Sequence, residues 1–262
     1  MARVFITGSA DGLGMMAARL LADDGHTVTL HARSAARAAD ARAAVPMADS
    51  VVIGDLAAID DMRSVAEQAN GLGPFDAVIH NAGVGYREPR RVGTADGLQH
   101  VFAINVLAPY LLTALISVPG RLVYLSSGMA RGADASLADP QWSRRRWNGS
   151  AAYADSKLFD IMLAFGVARH WPQVRSNSVE PGWVATKMGG RGAPDDLSLA
   201  PVTQAWLAVS DDQAAAVTGQ HFYHQQSIPA PVAAYSFEQQ DALLDYCASC
   251  TGTSLPPPDQ LL

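Results

Sequence analysis

Short apolar runs recur along the chain, and the stretches between several of them carry apolar residues at helical spacing. Val4-Phe5-Ile6-Thr7 is the first run. A glycine-rich turn from Gly8 to Gly14 follows it, and Met15 to Ala22 is a strong helix former. Thr27 to Ala32, Ser50 to Ile53, Phe75 to Ile79, Arg121 to Leu125, Val174 to Val179 and Gln220 to His224 read as the later strands. Helices are expected from about Ala95 to Ser117, Ala151 to Trp171 and Leu199 to Val209. Strands alternating with helices need crossover connections. The pattern therefore predicts the α/β class, with one doubly wound parallel sheet, a three-layer αβα Rossmann fold, filling a single domain over 1–262. Residues 131–150 are polar, with Pro140, Trp142 and Trp147, and read as an inserted surface loop or lid. Residues 252–262, with Pro256-Pro257-Pro258, read as a loosely ordered tail.

Composition narrows the partners. The chain has 262 residues, is 49% hydrophobic, and carries 19 Lys+Arg against 25 Asp+Glu for a net charge of −6. Such a balance offers no general attraction to nucleic acid or an anionic membrane, so small molecules or other protein chains are expected instead. The run Trp142-Ser143-Arg144-Arg145-Arg146-Trp147 is too short and isolated to change that, and reads as a solvated face. Val101 to Val118 is uncharged and long enough to raise a membrane span, but Asn105, Pro109 and Thr113 interrupt it, and a buried helix is the better reading. The first strand starts at Ala2-Arg3-Val4, which leaves no signal peptide and points to the cytoplasm. Cys247 and Cys250 lack a second pair and read as ordinary reduced thiols. His221 and His224 would face opposite sides of a strand, so no metal site is expected.

The chemistry-bearing residues gather where the strands end. Gly8, Ser9, Asp11, Gly12, Leu13 and Gly14 lie between a strand and a helix, where missing side chains and free helix N–H groups suit a diphosphate. Arg33 and Ser34 close the second strand at the expected adenosine ribose. An arginine there favours the 2′-phosphate of NADP over NAD, while the acidic Asp11 opposes it. Asp55 and Leu56 end the third strand, where Asp55 can meet a ligand or cap the next helix. His80-Asn81-Ala82-Gly83 ends the fourth, with small residues that permit close approach of a cofactor. Asn105 is an amide among apolar neighbours and must either brace the fold or hold a water. Ser127 ends the fifth strand. Tyr153 and Lys157 are four apart on a helix and share a face, so the ammonium is expected to pull the phenol below its ordinary pKa of about 10. Pro181-Gly182 breaks the chain, and Trp183-Val184-Ala185-Thr186 would then pass over the cofactor.

Taken in order, these motifs resemble the short-chain dehydrogenase/reductase family from Val4 to about Tyr223. The family's Thr-Gly-x-x-x-Gly-x-Gly is similar to Thr7-Gly8 through Gly12 and Gly14, and its Asn-Asn-Ala-Gly to His80-Asn81-Ala82-Gly83. Its helix asparagine falls on Asn105, its serine on Ser127, its Tyr-x-x-x-Lys on Tyr153 and Lys157, and its Pro-Gly with a later threonine on Pro181, Gly182 and Thr186. The interval from Ser127 to Tyr153 is longer than in the commonest members and resembles the retinol dehydrogenase and WW-domain oxidoreductase branch. The resemblance implies hydride transfer between NAD(P) and a carbonyl or alcohol carbon of a small apolar substrate. Tyr153 would be the general acid/base, Ser127 would bond the substrate oxygen, Lys157 would lower the tyrosine pKa and hold the ribose, and Asn105 would keep a relay water. It implies cofactor contacts from Asn81, Ala82, Gly83, Pro181, Gly182, Val184 and Thr186, and a homo-oligomer, dimer or tetramer. A non-catalytic NAD(P)-binding sensor or scaffold is the competing reading. An extended epimerase or dehydratase fits neither the glycine spacing nor the length.

Overall fold

A computed structural model describes residues 1–260, and Leu261 and Leu262 lie outside the described residues. Its strands are β1 (Arg3–Ile6), β2 (Thr27–Ala32), β3 (Ser50–Ile53), β4 (Ala77–His80), β5 (Arg121–Leu125), β6 (Arg175–Glu180), β7 (His221–Tyr223) and β8 (Gln226–Ile228). They form one sheet in the order β3-β2-β1-β4-β5-β6-β7-β8, parallel except for β8. Helices α1 (Gly12–Asp23), α2 (Ala35–Ala44) and α7 (Val202–Val209) are the larger helices on one face. Helices α3 (Ile59–Gly71), α4 (His100–Phe102), α5 (Ala108–Leu115), α6 (Gly149–His170) and α8 (Phe237–Thr251) cover the other. This is the doubly wound α/β sheet that the alternation predicts.

Burial on both faces explains the short, mainly apolar central strands β1, β4 and β5. In β1, Val4 and Ile6 enter the core shared with α1, while Phe5 enters the opposite core with Phe75 and Met62. Sequence order reverses on the two sides of β1: β2 lies next to it on one side and β4 on the other. Loops leaving the carboxyl ends of β1 and β4 therefore diverge and open a crevice, the position at which open parallel sheets take ligands.

Three regions differ from the sequence reading. The helix expected from Ala95 starts only at His100, because Gly97 at φ 75° turns the chain and Thr94 N–H donates to Leu98 O at 2.8 Å. The strand after His221 folds back: His224 and Gln225, at φ 47° and 61°, form the turn that pairs β8 antiparallel with β7. The expected loose tail is anchored as far as Pro256, and residues 257–260 beyond it are exposed. Tyr110 Oη donates to Thr253 O at 2.9 Å, and Trp171 Nε1 to Pro256 O at 2.9 Å. Helix α8 lies across α6, with Leu244 over Gly166 and Tyr246 edge-on to Phe102. Among the described residues, no helix is long and apolar enough to cross a membrane, and no group of histidine, cysteine and acidic side chains could hold a metal ion.

Candidate active site

At the crevice, the loops after β1 and β4 are bonded to each other. Thr7 Oγ1 accepts the N–H groups of Asn81 and Ala82, both at 3.0 Å, while Asn81 Nδ2 donates to Thr7 O at 2.9 Å and Gly8 O at 3.1 Å. This contact explains two glycines. Gly8 sits at φ 63° with an added Cβ only 2.7 Å from Ala82 Cα, and a Cβ on Gly14 would lie 2.4 Å from Asn81 Nδ2. His31, a polar residue inside strand β2, locks the turn from below. Its Nδ1 accepts from Gly8 N–H at 3.0 Å, and its Nε2 lies 3.0 Å from Gly54 O. Burial lowers its pKa to about 4, so the ring is neutral with its proton on Nε2, facing the carbonyl. His31 is a positioning residue that motif reading passed over, and Thr7, the first residue of the glycine motif, is one whose role the motif did not state. The signal for His31 was a titratable side chain inside the strand run Thr27–Ala32, and for Thr7 a hydroxyl directly after the apolar run of β1. Ser9 is present in the turn, but its hydroxyl is buried and committed, donating to Ile6 O at 2.9 Å and accepting from His31 N–H at 2.8 Å.

The outer end of the crevice is charged. Asp11 receives Arg37 at 2.7 Å and Lys187 at 2.8 Å, and these cations, Lys187 foremost, hold its carboxyl below the usual range. Arg33, expected as the phosphate partner, is exposed and makes no ion pair among the described residues. Arg37, one helical turn further along, is the arginine that reaches the glycine turn. Ser34 caps α2 by accepting from Arg37 N–H at 3.4 Å. Asp55 is exposed and accepts Ala57 N–H at 3.1 Å, while Leu56 is buried beside it.

Asn105, Ser127, Tyr153 and Lys157 meet further along the same crevice. Asn105 lies in a π-helical turn, Ala103–Leu107, between α4 and α5. Pro109 has no N–H to give to the Asn105 carbonyl four residues earlier, and the turn widens there. The Asn105 side chain is fully engaged: Oδ1 accepts Val84 N–H at 2.8 Å, and Nδ2 donates to Val84 O and Ser156 Oγ, each at 3.0 Å. Of its two expected roles, the side chain performs the bracing one. A Cβ on Gly83 would come within 3.5 Å of Lys157 Nζ, so this loop borders the lysine directly. Ser127 ends the β5 loop and accepts Met129 N–H at 3.3 Å.

Tyr153 and Lys157 do share a face of α6, with Nζ 5.7 Å from the phenol ring centre. Their electrostatics differ from the expectation. Burial raises the Tyr153 pKa, and Asp160 and Tyr86 push the same way. Lys157 and the Ser127 hydroxyl pull down without prevailing. Lys157 Nζ donates to Leu125 O and to Asp160 Oδ2, both at 2.8 Å, so much of its charge is answered on the side away from the phenol.

Tyr86 and Met188 stand at the mouth. The Tyr86 ring lies 5.6 Å from that of Tyr153, and its hydroxyl donates to Met188 O at 2.7 Å. The Pro181-Gly182 break leads into this segment. Gly182 has φ 86°, Trp183 N–H donates to Asp195 at 2.6 Å, Val184 is buried, and Thr186 Oγ1 accepts Gly189 N–H at 3.1 Å. The 131–150 insertion pins the opposite rim, with Trp147 Nε1 donating to Glu88 O at 2.9 Å. Of its basic run, Arg144 and Arg146 are exposed and Arg145 is held by acids. Arg145 pairs with Asp134 at 3.2 Å and Asp155 at 3.1 Å and stacks 3.8 Å over Trp142. Cys247 and Cys250 are free thiols in α8, and buried His221 is paired to Ser178 Oγ at 2.9 Å.

The crevice fits a dinucleotide. The Asp11 side chain caps none of the first-turn N–H groups of α1, leaving Gly12, Leu13 and Gly14 to present them to an anion. Comparison with known proteins agrees. The family model for short chain dehydrogenases matches residues 2–196. An oxidoreductase of Emericella nidulans is 44% identical over 98% of this chain and 99% of its own length. The short-chain dehydrogenase chyC of Penicillium rubens is 40% identical over 98% of this chain and all of its own. Among solved structures, a protein of Mycobacterium paratuberculosis superposes with TM-score 0.82, 24% identity and coverage of 98% of this chain and 95% of that one. A blue fluorescent protein from a metagenomic library, in complex with NADPH, gives TM-score 0.68, 25% identity and coverage of 84% and 95%. The chain belongs to the short-chain dehydrogenase family.

Proposed function

We propose that this protein is a carbonyl reductase or alcohol dehydrogenase of small apolar substrates, using NADP in preference to NAD, with Tyr153 as the general acid/base. The observation that carries the reading is the convergence of Ser127, Tyr153 and Lys157 beside Gly83 at the crevice between β1 and β4. A bound nicotinamide would supply or accept the hydride. The protein's own part is to move the proton and to hold the reacting oxygen. Tyr153 donates its phenolic proton to the carbonyl oxygen during reduction, and Ser127 Oγ donates a hydrogen bond to that same oxygen as negative charge develops on it. Lys157, kept cationic by Asp160, limits the cost of the phenolate left behind. Gly8, Gly12, Leu13, Gly14, Asn81, Ala82 and the 181–186 segment would hold the dinucleotide.

Three cations, Arg33, Arg37 and Lys187, lie at the outer end of the crevice against two acids, Asp11 and Asp40, both paired to Arg37 at 2.7 Å, an excess of one positive charge that supports NADP. Tyr86, Met188 and Trp183 form a largely apolar mouth, which supports an apolar substrate. Relatives named as oxidoreductases and short-chain dehydrogenases, and a structural neighbour holding NADPH, point the same way. The test is to follow NADPH and NADH consumption over a panel of aldehydes, ketones and quinones. Turnover with NADPH favoured is expected. Cofactor binding without turnover of any carbonyl would support a sensor or scaffold instead.

A further inference from the structure

Tyr153, Lys157 and Asp160 follow one stripe of α6 at i, i+4 and i+7, and their relative exposures are 7%, 4% and 2%. Asp160 belongs to none of the motifs, and an acid sealed from water is costly unless it has a charged partner. Its partner is Lys157, at 2.8 Å, and among the described residues it makes no other ion pair. Leu125 O, also at 2.8 Å, takes a second proton of the ammonium. These two acceptors fix Nζ 5.7 Å from the centre of the Tyr153 ring.

We propose that Asp160 is a positioning residue that tethers Lys157 and offsets its charge at Tyr153, so that the phenol keeps its proton, and acts as an acid, to higher pH. The inference rests on the reading of Tyr153 as the proton donor. The charges around the pair can be named. Along α6 they are Tyr153, Lys157 and Asp160, and from the loop after β4 comes Tyr86. From β5 comes Tyr124, whose hydroxyl bonds Thr113 at 2.7 Å and whose ring lies 4.8 Å from that of His80. Burial keeps both of the latter neutral, raising the Tyr124 pKa and lowering that of His80 to about 3. Burial raises the Asp160 pKa to about 7 against the pull of Lys157, so in the alkaline range where Tyr153 titrates Lys157 and Asp160 are the formal charges acting on its proton within this cluster.

During carbonyl reduction Tyr153 gives its proton to the substrate oxygen and is reprotonated from solvent. A phenol that holds its proton to higher pH extends the range of reduction and moves the onset of alcohol oxidation, which needs the phenolate, upward. The test is a near-ultraviolet tyrosinate titration of the full chain without substrate, using Y153F as the blank. The wild-type difference signal should titrate above the ordinary tyrosine value of about 10. In D160N the midpoint should fall by roughly one unit, a tenfold change in phenolate at fixed pH, whereas D160E should stay close to wild type. The alkaline limit of reduction should follow the same shifts. A wild-type Tyr153 titrating at or below the ordinary value, or an unmoved midpoint in folded D160N, overturns the proposal. The titration needs no turnover, so an inactive protein that gives these midpoints would defeat the proposed reaction and leave the assignment of Asp160 intact.

Discussion

Replacing Gly14 with alanine should destabilise the protein, although helix propensity alone predicts the opposite. Gly14 is the third residue of α1, and alanine in a helix is favoured over glycine by about 1 kcal/mol. The new Cβ would lie 2.4 Å from Asn81 Nδ2 and 2.7 Å from Gly8 O. Neither neighbour is free to move, because Asn81 Nδ2 holds Thr7 O at 2.9 Å and Gly8 O at 3.1 Å. Losing those two bonds costs about 1 kcal/mol each, and the overpacking adds about 1–3 kcal/mol. The net loss is about 2–4 kcal/mol, a melting temperature lower by roughly 4–16 °C for a chain of this size. The same displacement separates the loops that frame the crevice, so cofactor affinity, read by fluorescence titration with NADPH, should weaken at least about tenfold. A G14A protein that melts higher than wild type and binds NADPH equally well would refute this account of the glycine turn.

Three further outcomes follow from the site. Replacing Arg37 with alanine removes a cation 2.7 Å from Asp11, so NADPH affinity should fall roughly tenfold or more, with less effect on NADH. Equal losses for the two cofactors would remove the argument for a 2′-phosphate site there. Asn105→Ala should lower stability by about 2–4 kcal/mol, seen in denaturant unfolding, because Val84 N–H and O both lose their partner. His80 is buried and neutral with its pKa lowered to about 3, whereas an unfolded histidine titrates near 6.5. The unfolded chain therefore binds the extra proton, and this contribution to stability is lost as pH falls from about 6.5 towards 3. Any melting-temperature advantage of wild type over H80N should accordingly narrow on acidification. A gap that widens would show that His80 is protonated in the native state.

Much of this was legible in the residues. The strand-forming runs marked seven of the eight strands in the order found, and only β8, folded back on β7 by the turn at His224 and Gln225, was missed. Gly8, Gly12 and Gly14 marked the turn because positive φ and close packing leave few other choices. What sequence could not give was partnership across long separations. Whether Arg33 or Arg37 meets Asp11 depends on how α2 turns after its Ser34 cap. Whether Lys157 faces the phenol or an acid depends on Asp160, which looks like any polar helix position until burial is known. The expectation that Lys157 would prevail at Tyr153 failed because burial of the phenol outweighs it, with Asp160 adding to the same side. In the basic run Arg144 and Arg146 are exposed as expected, and only Arg145 departs from that reading, because its acidic partners Asp134, Asp139 and Asp155 are brought to it by the fold. Helix α8 and the anchored tail were obscure because their contacts, to Gly166, Tyr110 and Trp171, reach far back in the chain.

The most direct test of the central claim compares wild type with Y153F in NADPH-dependent reduction of the carbonyl panel, with NADPH binding measured on both. The account predicts that wild type reduces at least one carbonyl, while Y153F folds, binds NADPH as tightly and loses turnover by about a hundredfold or more. Equal turnover in the two proteins would contradict it.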